Sequence, residues 1–523
     1  MSVWKTIDKE AVLSGLSAAD LREQAGLDPG IYPNLGAGAA WQAYKTGSGA
    51  SALAGADTLC YVAGSSLVVG DTAAALGLSQ GRKKIASLGS MLVVYPDKKY
   101  VDTADPAVWG SLDAVYSGSV SVSLCDEAGG GYSPTVSASA PESPSPGALW
   151  LDTSGVPVLM RYSSAASRWV SQDSFLKLAA SGLSGFRAGD RVQISGISGL
   201  SGSHTLLAVG SGFLVVAGSA RIPGSVENAA ISRKAPLLDY ITQAGGRLWG
   251  CRRGEDPEGK QVTCLYATRP GDIFNWELCI PVECPGAFTG AGQLDDKAVF
   301  FQENAVHTAS RNGSVRTVLA PGVTPGGDGT VAAAAGKLLY RGADGIYAFN
   351  AAKSERLLAL PEAGGGAAAS LAGRYFLSFE AEGRGHFLAY DAGHGVWLRR
   401  DDTLADDLCA AGDTLYALTG GDILSLQPGS TAGDGVWRAR LSVTDAPCWL
   451  TGVSVYGRFP AGSVLRAAYD AGDGPRELGI LSGPGRRRHL TVLPRSCGRL
   501  DILLEGSGGV CVESVTAHIQ SPG

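Results

Sequence analysis

Lys337-Leu-Leu-Tyr-Arg-Gly-Ala-Asp-Gly-Ile-Tyr-Ala-Phe349 reads as two short strands around a tight turn. The apolar runs on either side are rich in strand formers, and Gly342-Ala-Asp-Gly345 supplies residues suited to a sharp reversal. Such a hairpin cannot cover its own apolar faces, so neighbouring units must stack on it. The same unit recurs in both directions along the chain. Upstream it appears in Asp57 to Gly70, Lys84 to Tyr100, Gly245 to Cys251 with Val262 to Thr268, and Lys297 to Gln302. Downstream it appears in Gly373 to Phe379 with Gly385 to Asp391, and in Asp413 to Leu426. Units spaced roughly 35 to 45 residues apart match propeller blades of four antiparallel strands. About six or seven units can be counted, within the usual range for a propeller, without a WD or kelch signature.

Composition agrees with an all-β chain. Gly accounts for 74 of 523 residues, much of it in clusters such as Gly129-Gly130-Gly131 between apolar runs, as turn-rich β-structure requires. Hydrophobic residues make up 45% and charged residues 18%, enough to fill cores spread over two to four domains. A net charge of −6 argues against a broad nucleic-acid-binding face, while leaving room for a wall past which DNA slides without sticking. No stretch approaches the length of a membrane span, and Met1 to Asp8 lacks a signal-peptide apolar region. Synthesis in the cytoplasm is therefore expected.

The expected organisation is a β-propeller with an inserted small β-barrel-like module and a C-terminal β-sandwich. Residues 1–34 form an N-terminal arm, with apolar spacing from Thr6 to Gln24 that predicts a short helix. Residues 35–125 are the first part of the propeller and 235–430 the remainder. Between them, 126–234 opens on the Pro/Ser-rich linker Ser133 to Gly147 and continues as strand–turn–strand segments, with Trp150 and Trp169 as core candidates. An insertion of this kind costs a propeller loop little. Residues 431–523 carry alternating strands without the blade spacing and read as a sandwich.

Candidate chemistry is sparse. Propeller glycosidases need paired carboxylates near the axis, but Asp344, Asp391, Asp401-Asp402 and Asp406-Asp407 all sit in turn-like contexts that Asp favours for local hydrogen bonding. Gly77-Leu-Ser-Gln-Gly81 fits the nucleophile-elbow spacing, but it leads into a β-run instead of a helix. Gly254 to Gln261 has phosphate-loop spacing, but Gln261 stands where the hydroxyl belongs and three acidic residues crowd the loop. The six histidines are scattered. A zinc site drawn from Cys251, Cys264, Cys279 and Cys284 matches no known spacing, and buried thiols are the plainer reading. No catalytic residue, metal or cofactor is expected, and the chain is expected to be non-enzymatic. The strongest local charges are Arg486-Arg487-Arg488 and Arg82-Lys83-Lys84. Either run can contact a partner or a phosphate, or can simply be a solvated turn.

Three strings carry a family likeness: Arg247-Leu-Trp-Gly-Cys251, Leu265-Tyr-Ala-Thr-Arg-Pro-Gly-Asp-Ile-Phe-Asn-Trp276 and Ala298-Val-Phe-Phe-Gln-Glu-Asn304. They resemble the tail-nozzle or packaged-DNA stabilisation proteins of short-tailed bacteriophages. Tyr32-Pro-Asn-Leu35, Val93 to Tyr100 and the string at 144–152 also look like pieces of phage tail proteins. The resemblance implies a virion protein that forms a six-fold homo-oligomeric ring continuing the DNA channel below the portal. Its expected partners are the portal or head–tail adaptor, the tail spike, fibre or needle proteins, and the packaged DNA passing through the channel. The alternative is a receptor- or glycan-binding propeller of a phage tail, with Trp150, Tyr162 and Trp169 as sugar platforms. A polysaccharide-degrading enzyme is a weaker third reading.

Overall fold

The computed structural model describes residues 2–7, 23–255, 259–283, 286–360, 365–381, 383–427, 433 and 435–520. Among them every regular element except one short 3-10 turn is a β-strand, and no helix is long and apolar enough to cross a membrane.

The repeating unit becomes a blade of four antiparallel strands hydrogen-bonded in chain order. Blade 4 is typical, with strands Gly290–Leu294, Lys297–Gln302, Ala305–Ala309 and Val315–Leu319. Its second strand, KAVFFQ, is buried at every position after the first. Successive side chains leave a strand on opposite faces, so Phe300 packs with Trp249 and Leu265 of the preceding blade, and Phe301 with Tyr340 and Phe349 of the following one. This explains why the blade strands read as continuous apolar runs.

Among the described residues seven blades result. Their innermost strands are Ala50–Gly55, Lys84–Leu88, Tyr240–Ala244, Gly290–Leu294, Ala332–Ala334, Gly366–Leu371 and Asp407–Ala411, in order from blade 1 to blade 7. Each junction between consecutive blades has its own apolar cluster, and the ring closes where Leu53 and Tyr61 of blade 1 meet Leu418 and Ile423 of blade 7. Blade 7 takes its outermost strand from the other end of the propeller sequence: Gln42–Lys45 pairs with Asp422–Leu426. Tight turns make the short strands possible. Gly245 and Gly246, both at positive φ (56° and 74°), form the two-residue link into Arg247–Glu255.

The insertion is a closed six-stranded barrel. Its strand Ala114–Cys125 pairs on one side with Phe175–Ala179 and on the other with Gly224–Arg233. The chain thus leaves the propeller before Ala114 rather than at 126, because the residues up to Cys125 alternate into the barrel core through Val120, Val122 and Leu124. Thr135–Ser137, Leu149–Asp152, Val158–Ser163 and Arg168–Ser171 form a separate small sheet. Leu151 and Leu159 of that sheet belong to the barrel's apolar cluster.

The C-terminal part is a sandwich. Trp437–Thr444, Leu500–Ser507, Val464–Asp470 and Pro475–Ser482 make one sheet. The other holds Cys448–Phe459, Gly485–Cys497, Cys511–Gln520 and, from the far end of the chain, Ser2–Thr6. The expected N-terminal arm is therefore partly a sandwich strand, and the helix expected within Thr6 to Gln24 lies mostly outside the described residues. Leu35–Gly36 also pairs with Cys511–Gln520, so the propeller begins at Gln42 rather than at 35. Residues 24–39 lie between the outer strand of blade 6, Val396–Asp401, and the sandwich. Leu27, Tyr32, Leu35 and Ala37 share one apolar cluster with Val396 and Leu398 on one side and with Trp437 and Val512 on the other.

Candidate functional site

Six of the seven blades send residues to one mouth of the propeller axis, where a cavity of about 490 Å³ opens. Ser51 to Leu53 come from blade 1, Arg82 and Lys84 from the approach to blade 2, Tyr240 from blade 3, Ala291 from blade 4, Asp328 from the short 3-10 turn before blade 5, and Asp406 and Asp407 from the start of blade 7. Arg82 Nη1 donates to Asp328 Oδ1 at 2.9 Å, and Lys84 Nζ donates to Asp328 Oδ2. These bonds join the approaches to blades 2 and 5 across the axis. Lys84 also lies over the Tyr240 ring, 4.7 Å from its centroid. Burial lowers the Lys84 pKa against the pull of Asp328, and burial with the Asp328 charge nearby pushes the Tyr240 hydroxyl up to about 12.

Asp407 is the most perturbed carboxylate of the mouth. It accepts the backbone N–H of Leu53 at 2.8 Å and of Leu408 at 2.9 Å. Burial pushes its pKa up to about 6, with those two N–H groups and the charges of Arg82 and Lys84 working in the opposite direction. The mouth thus combines a buried carboxylate whose pKa is pushed up to about 6, a second carboxylate bonded by both Arg82 and Lys84, and the exposed guanidinium of Arg82. Sequence reasoning left Asp406-Asp407 as turn acids and did not single out Asp328 or Tyr240. The only signal available was an acidic pair directly before an apolar strand.

The basic residues expected to meet a partner or phosphate are divided by the fold. Lys83 turns away from Arg82 and Lys84. Its ammonium is buried against Asp97 Oδ2 at 2.6 Å and Ser79 Oγ at 2.9 Å. Ser79 itself lies in a turn bounded by Gly77 and Gly81, both at positive φ, and a strand follows it. Arg486, Arg487 and Arg488 lie on another domain, on the sandwich strand Gly485–Cys497 at the edge of its sheet. Arg486 reaches the Tyr456 hydroxyl at 3.3 Å, and Arg488 folds back onto the carbonyls of Gly483 and Pro484. A charged edge strand also blocks pairing with foreign strands. The aromatic trio of the inserted sheet packs on itself: Trp169 stands edge-on to Trp150 and Tyr162, and Trp150 Nε1 donates to Ser137 O at 3.0 Å. Among the described residues no three His, Cys, Asp or Glu side chains gather as a metal would require. Cys284 lies outside them.

The string Arg269 to Trp276 forms a joint between barrel and propeller. Asp272 caps its own turn by accepting Phe274 N–H at 2.7 Å. Asn275, buried, donates to Asp272 Oδ2 at 2.6 Å and to Asp190 Oδ1 at 3.2 Å, and accepts the backbone N–H of Arg191 at 2.9 Å. Asp190 is in turn ion-paired with the buried Arg233, which also donates to Leu112 O. Arg269 Nη1 reaches Gly189 O at 3.1 Å, and the Arg187 guanidinium lies 3.7 Å from the Phe274 ring centroid.

No known protein family matches the chain, and no curated protein does. Solved structures similar to it include an exo-beta-1,3-galactanase from Phanerochaete chrysosporium, at 10% identity over 53% of this chain and 94% of that one, with a TM-score of 0.21. A streptogramin B lyase aligns at 8% identity over 76% and 98%, with a TM-score of 0.31. PorZ, a surface component of the type-IX secretion system of Porphyromonas gingivalis, aligns at 12% identity over 85% and 71%, with a TM-score of 0.26. Two of these three are enzymes by name. That runs against the expectation that this chain is non-enzymatic.

Proposed function

We propose that this chain is a structural component of a bacteriophage tail, a nozzle or hub subunit that assembles with further copies of itself into a ring. The ring continues the DNA channel below the portal and holds packaged DNA until ejection. One observation carries the reading. The residues that resemble tail-nozzle proteins, Arg269 to Trp276, fasten two modules together through Asn275, Asp190 and Arg233. That is an architectural use of the motif, and a subunit under load needs its modules locked. The strap at residues 24–39 ties the sandwich to blade 6 in the same manner. On this reading the protein resides in the virion, its neighbours are the portal or adaptor and the spike, fibre or needle proteins, and the copies stand six to a ring.

The test is the copy number of this chain in purified, DNA-filled particles, measured by quantitative mass spectrometry against the portal protein. A fixed, simple ratio is expected. Absence from particles would sink the reading.

A further inference from the structure

The axial mouth has no part in that role, and its construction points elsewhere. It is a cavity of about 490 Å³, within the range of small-ligand sites. Arg82 is the group best placed to meet a ligand. Its side chain is 54% exposed, and among the described residues its hydrogen bond is the one from Nη1 to Asp328. Gly329 lies against it: a Cβ there would stand 2.7 Å from Gly366 O and 3.0 Å from Arg82 Nη2, so glycine keeps this wall of the cavity close to the backbone of blade 6 and to the guanidinium. Asp407 offers the complementary group. Each of its oxygens accepts one backbone N–H and retains a lone pair for a further donor.

Charge decides the class of ligand. Arg82 and Lys84 face Asp328 and Asp407, two cations against two carboxylates, with Asp406 at the rim accepting the Gly420 N–H at 2.8 Å. A strongly charged ligand would meet a like charge at close range. A neutral polyol would not, and each hydroxyl both donates and accepts. A guanidinium and a carboxylate lining one cavity suit a ligand whose hydroxyls can accept from the first and donate to the second. We propose that the axial mouth binds the neutral end sugar of a glycan through its hydroxyls, which donate to Asp407 and accept from Arg82. This goes beyond the structural role and does not depend on it.

The experiment is saturation-transfer NMR on the full chain with methyl glucoside, methyl galactoside and methyl mannoside, and with glucuronate as the charged control. Transfer to at least one neutral glycoside is expected, with weak affinity of the roughly millimolar kind usual for single small ligands. Arg82→Lys keeps the cation but removes the guanidinium, and is expected to weaken binding about tenfold. Asp407→Ala should abolish binding, while Arg487→Ala on the sandwich should leave it unchanged. Circular dichroism checks that each variant is folded. Absence of transfer to all three glycosides, preference for glucuronate, or binding that survives Arg82→Lys undiminished would overturn the proposal. Any of these would leave the particle copy number untouched, so the two readings fail separately.

Discussion

Asn275 uses both ends of its side-chain amide at one joint, and that makes it the residue on which the position of the barrel depends most directly. Removing it leaves Asp190 and the Arg191 N–H with one partner fewer in a buried place, which costs about 1–3 kcal/mol. Asn275→Ala is therefore expected to raise hydrogen exchange at residues 187–191 while exchange in the sandwich stays unchanged. His307 makes a different prediction. It is fully buried in blade 4, with its ring nitrogens on Thr317 Oγ1 at 2.9 Å and Gln302 Oε1 at 3.2 Å. Burial lowers its pKa, so the folded state holds it neutral. As pH falls through the unfolded value of roughly 6.5, the unfolded chain takes up a proton that the folded chain refuses, and stability is lost. His307→Asn should make the fall in melting temperature between pH 7 and pH 5 shallower, whatever it costs at pH 7. The residue-scale chemistry of the axial mouth was hardly legible in the sequence. Asp328 and Asp407 look like any turn aspartates until ring closure brings the approaches to blades 5 and 7 beside Arg82.

Blades were the most legible elements, and the reason is physical. A strand such as Lys297–Gln302, covered on both faces, must be apolar throughout, and the hairpins on either side must carry Gly or Asp. Pairings between distant segments leave no such mark. Gln42–Lys45 is exposed or half-exposed along its length, and nothing in QAYK announces that it completes blade 7 with Asp422–Leu426. The same holds for Ser2–Thr6, where the local pattern favoured the neighbouring helix. By sequence, residues up to 125 read as propeller, and the pairing of Ala114–Cys125 with Gly224–Arg233 sets this strand in the barrel. The closing strand can be tested directly. Replacing Gln42–Lys45 with a Gly/Ser tetrapeptide removes the outer pairing of blade 7. This is expected to lower the unfolding midpoint by roughly 5 °C, with the earliest hydrogen exchange in residues 407–426.

At the scale of the molecule, propeller and sandwich are held together by the strap at residues 24–39. Its centre is an ion pair buried on both sides: Arg400 Nη1 donates to Asp28 Oδ2 at 2.6 Å, with the side chains 5% and 1% exposed. Arg400 Nη2 also donates to Ala39 O at 2.7 Å, and Asp28 Oδ1 accepts the Gly30 N–H at 2.6 Å. Removing one member strands the other charge away from water, at a cost of about 3–5 kcal/mol. Asp28→Ala is expected to loosen the sandwich from blade 6, seen as a larger radius of gyration in small-angle scattering, while both domains keep their strand signal in circular dichroism. An unchanged radius would mean that the apolar contacts of Leu27, Tyr32 and Val396 suffice to hold the sandwich in place.

The pairing of Ser2–Thr6 with Cys511–Gln520, and of Gln42–Lys45 with Asp422–Leu426, bears on how the protein is made. Ser2–Thr6 and Gln42–Lys45 leave the ribosome long before the strands they pair with. Blade 7 cannot close before residue 426 has emerged, nor the sandwich sheet before residue 520. The nascent chain must therefore carry two unpaired strands while the residues between each strand and its partner are made. A chain stopped between residues 45 and 422 would leave Gln42–Lys45 without its partner, so such truncations are expected to give aggregates or proteolysed chains rather than a smaller folded propeller.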